Sequence, residues 1–103
     1  MPDLVRLRRE SMRWNIINTL NMMRPYQTHE RQMLEIMQSI YVDATALEVR
    51  RELDYLADRL LVDLKKENYG VWFADLSRHG ADVAEYTIPC EPGIARPVKV
   101  WED

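Results

Sequence analysis

The sequence predicts an α+β domain: three helices, then a two- or three-stranded antiparallel hairpin region, then an extended tail. Three observations carry that expectation. Between Leu7 and Val62 there is no glycine and only Pro25, whereas all three glycines and three of the five prolines follow, so the architecture changes near residue 62. Before that point apolar residues recur every three or four positions, the repeat of one helix face. After it they alternate, Val62 and Leu64 against Asp63 and Lys65, the repeat of a strand.

The first helix is expected over residues 8–23, with Met12, Ile16, Leu20 and Met23 as its apolar stripe and Ile17 at the flank. Pro25 ends it, because proline disfavours helical backbone in the residue before it and has no amide hydrogen to donate. A short extended piece at Tyr26–Gln27 follows. Thr28 is then expected to cap a second helix, with Glu30 favourable in the first turn and Met33, Leu34, Met37, Ile40 and Tyr41 on the buried side. The connection Val42-Asp43-Ala44 is short, so the third helix crosses the second closely. Thr45-Ala46-Leu47-Glu48 has the spacing of a capping box. Ala46, Val49, Leu53, Leu56, Ala57 and Leu60 share one face of the helix it starts, leaving Glu48, Arg51, Tyr55 and Asp58 opposite. Glu67-Asn68-Tyr69-Gly70 supplies the hairpin turn before Val71-Trp72-Phe73-Ala74. Ser77 is placed to cap a short helix near residues 78–85, and Pro89, Pro92 and Pro97 keep the segment from Thr87 to Pro97 extended.

A length of 103 residues suits one compact core and excludes most multidomain enzyme architectures. Cys90 is the only cysteine, so neither an intramolecular disulfide nor an all-cysteine zinc site can form, and a reducing, cytoplasmic setting fits best. No apolar run has the roughly 20 residues of a membrane span, and none near the N-terminus suits a signal peptide, so no membrane association is expected. His29, His79 and Cys90 are far apart in sequence, with no metal-ligand spacing, phosphate loop or nucleophile motif. No enzymatic activity, cofactor or metal is therefore expected. The net charge of −3 opposes nucleic-acid binding through bulk charge, yet residues 1–74 hold 11 basic and 11 acidic side chains, so the whole acidic excess lies beyond residue 74.

Three helices, the last two tightly joined, followed by a hairpin, resemble a winged helix-turn-helix domain. The run TALEVRRELDYLADRLLV from Thr45 to Val62 looks like the recognition helix and the start of the wing, and Leu76-Ser77-Arg78-His79-Gly80 resembles the end of the returning strand. Many relatives carry glycine where Leu61 stands here. The domain is expected over residues 1–80, with 81–103 as a short helical segment and acidic, proline-containing tail. A narrower resemblance rests on Asp82-Val83-Ala84-Glu85-Tyr86 and Pro92-Gly93-Ile94-Ala95-Arg96-Pro97, which are similar to small proteins of Mu-like bacteriophages and prophages. Such proteins are typically encoded near the late, packaging and head genes. The resemblance implies a phage setting and carries over no binding residues.

What the winged-helix resemblance implies is double-stranded DNA as partner, with helix three in the major groove. Thr45, Glu48, Arg51 and Tyr55 are the residues expected to face bases and phosphates, with Arg50 beside them and Lys65 and Lys66 meeting phosphates from the wing. Glu48, Glu52, Asp54 and Asp58 would repel phosphate unless turned away, and an equal reading makes the charges of this helix a solubilising exposed face. The neutral body and acidic tail also suit an alternative function, a protein-interaction adaptor in a phage packaging or assembly complex. A homodimer is expected either way. Trp14, off the stripe, is expected to pack under the hairpin or tail rather than mark a dimer surface, Trp72 to belong to the hairpin core, and Trp101 to anchor the tail. Met12, Met23, Met33 and Met37 are read as adaptable packing.

Overall fold

The computed structural model describes residues 2–99, so Trp101 lies outside it. The described residues form α1 (Leu4–Met23), β1 (Thr28–His29), α2 (Glu30–Ile40), α3 (Ala46–Asp58), β2 (Val62–Lys66), β3 (Trp72–Leu76) and α4 (Arg78–Ala84). Both strand pairings are antiparallel and the sheet order is β1-β3-β2, so the last strand in sequence lies in the middle. The architecture is α+β, with the helices packed against one small sheet.

α1 starts earlier than its apolar stripe suggests, because the Asp3 carboxylate accepts the Arg6 N–H at 3.1 Å and caps the helix there. The extra turn makes Arg6 helical and seats Arg8 and Arg9 inside the helix rather than at its start, fixing the directions in which they point. Met12, Ile16, Ile17 and Leu20 are buried as the stripe requires. The small strand falls at Thr28–His29 rather than Tyr26–Gln27, since Thr28 pairs with Ala74 in the sheet and is fully buried. The cap of α2 is therefore His29, whose Nδ1 accepts the Arg31 N–H at 3.0 Å, and not Thr28. Met33 and Met37 are buried as expected, while Ile40 is exposed.

Thr45 caps α3, accepting the Glu48 N–H at 3.1 Å, and Val49, Leu53 and Leu56 bury its core face. Leu60 departs from that face: it is 75% exposed and takes φ of 62°. Its N–H reaches Ala57 O and the Leu61 N–H reaches Leu56 O, the paired bonds that close a helix through a left-handed residue. Leu61 is thereby turned into the core.

Ser77 then locks the end of β3 to that helix end. Its hydroxyl donates to Leu60 O at 2.6 Å and accepts the Gly80 N–H at 3.0 Å, capping α4. α4 and the segment after it pack back on α1, with Ala81, Val83, Ala84 and Ile94 in the same core as Met12 and Ile16. The Ala95 N–H donates to Glu10 O at 3.1 Å, and Arg96 donates to Val83 O and Ile88 O. The tail is thus laid along the body, with Tyr86 edge-on to Trp14 at 6.0 Å, so Trp14 packs under the tail.

Candidate functional site

α3 is held on three sides by charged side chains, and these contacts decide which of its residues remain open. On the α1 side, Glu48 accepts two hydrogen bonds from Arg8, at 2.8 and 3.0 Å, and Arg8 also reaches Asp43 at 2.9 Å. The Glu48 carboxylate therefore serves α1 and not the Thr45 amide of a capping box. One turn on, Glu52 has no exposed surface and meets three guanidiniums: Arg13 Nε at 2.9 Å, Arg9 Nε at 3.2 Å and Arg51 Nε at 3.6 Å. A buried carboxylate is tolerated only when paired and hydrogen-bonded, and these arginines provide both.

Tyr55 completes this side. Its ring lies between the guanidiniums of Arg13 and Arg59, each 3.5 Å from the centroid, and its hydroxyl lies against Gly93 of the tail. A Cβ at Gly93, where φ is +98°, would fall 2.3 Å from that hydroxyl, so only glycine fits.

On the hairpin side, Arg50 is a fork. It grips Glu30 with bonds of 3.0 and 2.7 Å, donates to Gly70 O, and covers the Trp72 ring at 4.6 Å. Glu30 also accepts the Trp72 N–H at 2.5 Å. Burial pushes the Glu30 carboxyl up, but the hydrogen bonds from Arg50 and the Trp72 amide outweigh it and hold the group below the usual carboxylate range. Lys66 pairs with Asp54 at 2.9 Å and also lies over the Trp72 ring, 4.2 Å from its centroid, and Lys65 reaches Glu67 at 3.3 Å. Trp72 is half-buried, packed against the core as expected and carrying the cations of Arg50 and Lys66 over its ring.

Of the residues expected to contact DNA, the structure gives intramolecular work to most. Thr45 caps α3, Glu48 and Tyr55 face α1 and the tail, and Arg50 and Lys66 brace the hairpin. Arg51 and Lys65 stay largely in solvent. The open ridge of α3 runs Leu47, Arg51, Asp54 and Asp58, and a cleft of about 260 Å³ lies between α2, the Ala46, Val49 and Arg50 side of α3, and Val71.

Arg9 and Arg13, on α1, are the functional-side residues that a reading of α3 alone overlooks. The signal was present: Arg8 or Arg9 and Arg13 lie about one turn apart, as do Glu48 and Glu52, and where the helices cross Arg8 meets Glu48 while Arg9 and Arg13 meet Glu52. Among the described residues no group of three His, Cys, Asp or Glu side chains is arranged to hold a metal ion, and no helix is long and apolar enough to cross a membrane. Cys90 is half-buried, and that burial pushes its thiol pKa up, away from the reactive thiolate. No family model, curated protein or solved structure matches the chain.

Proposed function

We propose that this protein is a winged-helix DNA-binding protein that offers the N-terminal half of α3 to the major groove and the β2–β3 hairpin to the adjacent backbone. The observation that carries the reading is the inward turn of Glu48 and Glu52. Acids on a reading helix oppose phosphate, and these two are drawn away from the open ridge by Arg8, Arg9 and Arg13. Asp54 is offset by Lys66, and Asp58 belongs to the half of α3 that such docking tilts out of the groove. What is left at the entering half is Leu47 and Arg51, an apolar side chain suited to a thymine methyl and a fork suited to guanine or phosphate. Likeness of the tail to Mu-like phage proteins supports a role as regulator or accessory to phage DNA handling, and a homodimer would match paired half-sites.

Titrating the protein into a labelled duplex at low salt tests this. Binding that weakens steeply with salt and loses at least fivefold on Arg51→Ala is expected; no binding at tens of micromolar overturns it.

A second reading, a protein-interaction adaptor in a phage packaging or assembly complex, is favoured by a different observation. Leu4, Val5, Leu7, Val42 and Leu47 are all exposed, on the first turns of α1 and around the α2–α3 connection that Arg8 ties to it through Asp43. It expects capture of a phage-encoded partner with no duplex shift, and Leu4→Glu and Val42→Glu to abolish that capture; duplex binding with no protein partner recovered counts against it.

A further inference from the structure

We infer that Arg9 and Arg51 form a phosphate clamp at the seam of α1 and α3 that takes one phosphodiester group of a DNA backbone, an inference that rests on the DNA-binding reading. The starting point is a local imbalance of charge. One carboxylate, Glu52, is surrounded by three guanidiniums, and Arg13 alone is enough to neutralise it: the pair is enclosed, Arg13 retaining 8% of its side-chain exposure, and its Nη1 is committed to Gly93 O at 2.8 Å. Arg9 and Arg51 are the surplus.

Both surplus arginines approach the same oxygen, Glu52 Oε2, with Nε at 3.2 and 3.6 Å. Among the described residues neither pairs with a group other than Glu52, and none accepts a hydrogen bond from their Nη donors. They keep 35% and 53% side-chain exposure. Two cations held beside one shared oxygen repel each other, and a bound anion that both can reach relieves that repulsion. A phosphate is the matched anion, since a tetrahedral oxyanion offers separate oxygens to two guanidinium forks at once.

Position selects the backbone of a duplex over a free phosphate. Arg51 stands on the open ridge of α3, and Arg9 reaches in from the neighbouring helix, so the clamp borders the helix proposed to enter the groove, where the flanking phosphates run. Arg8, Arg50, Arg59, Lys65 and Lys66 each have a carboxylate of their own, and none has this surplus.

The test follows the Nε–Hε signals of Arg9, Arg13 and Arg51 by NMR while the full chain is titrated first with inorganic phosphate, against chloride at matched ionic strength, and then with a duplex. The Arg9 and Arg51 signals are expected to move together with phosphate while Arg13 stays still, and Arg51→Gln is expected to abolish the Arg9 response. Arg9→Gln and Arg51→Gln should each weaken duplex binding about tenfold, and the double variant little further, because the two share one ligand group. Arg78→Gln, on α4, should leave affinity unchanged. Still signals under phosphate, or an Arg9 response that survives Arg51→Gln, overturn the clamp. Phosphate responses without any duplex binding overturn the DNA reading and leave a free-phosphate site; duplex binding that ignores both substitutions overturns the backbone role alone.

Discussion

Arg13 and Glu52 meet at 2.9 Å inside the protein, a carboxylate with no exposed surface against a guanidinium that is almost as enclosed. The contact joins three parts of the chain. Glu52 belongs to α3, Arg13 to α1, and the same guanidinium donates to Gly93 O in the tail while lying over the ring of Tyr55. Removing one partner of a buried pair strands the other charge, so Glu52→Ala is expected to cost about 3–5 kcal/mol in chemical unfolding. A loss under about 1 kcal/mol would mean that water reaches Arg13 and the pair is not the link between helix and tail.

Glu30 gives a pH dependence with a definite sign. Its folded pKa lies below the ordinary 4.5, so the charged form is favoured by folding. The stability this adds is fully present above about the ordinary value and is lost as pH falls through the folded one. The gap in unfolding midpoint between the parent and Glu30→Gln is therefore expected to be widest at neutral pH and to close on acidification; a gap constant from neutral to strongly acid pH would exclude the Arg50 and Trp72 contacts as its source.

Leu60 takes φ of 62° where glycine is preferred, and its side chain is in solvent. Leu60→Gly removes a left-handed penalty of about 1–2 kcal/mol, less what glycine's greater freedom in the unfolded chain returns. A net gain of about 0.5–1 kcal/mol and a Tm higher by a few degrees are expected in calorimetry. A lower Tm would show that Leu60 contributes packing after all.

Gly80 stands with its backbone against Leu61, so that a Cβ would fall 2.1 Å from Leu61 O. Gly80→Ala must push α4 off the start of β2 and is expected to destabilise by about 2 kcal/mol or more, with faster amide exchange in α4 than in α2. An unchanged exchange pattern would contradict the close approach.

Much of this fold was legible because its signals are local. Periodicity located the core faces of α1, α2 and α3, Thr45 and Ser77 capped as their positions suggest, and the alternation after Val62 gave the hairpin. The Leu76-Ser77-x-x-Gly80 pattern now has a physical account, in which Ser77 holds Leu60 O and Gly80 makes room for Leu61 O. The errors are tertiary. Thr28 reads as a cap, but pairing with Ala74 draws it into the sheet and passes the cap to His29. Leu60 continues an apolar stripe, but the helix has already turned left-handed there. The polar side of α3 looked uniformly open in sequence, whereas the arginines of α1 and the tail at Gly93 cover Glu48, Glu52 and Tyr55. Which charges remain for a partner depends on how two helices cross, and no single-helix pattern contains that.

Amide chemical-shift mapping of the full chain against a duplex at low salt addresses the central claim most directly. Changes concentrated at Thr45–Arg51 of α3, at Arg9 of α1 and along Lys65–Val71 of the hairpin, fading as salt is raised, are the expected result. Saturating duplex that leaves these amides still, or shifts confined to α4 and the tail, would contradict it.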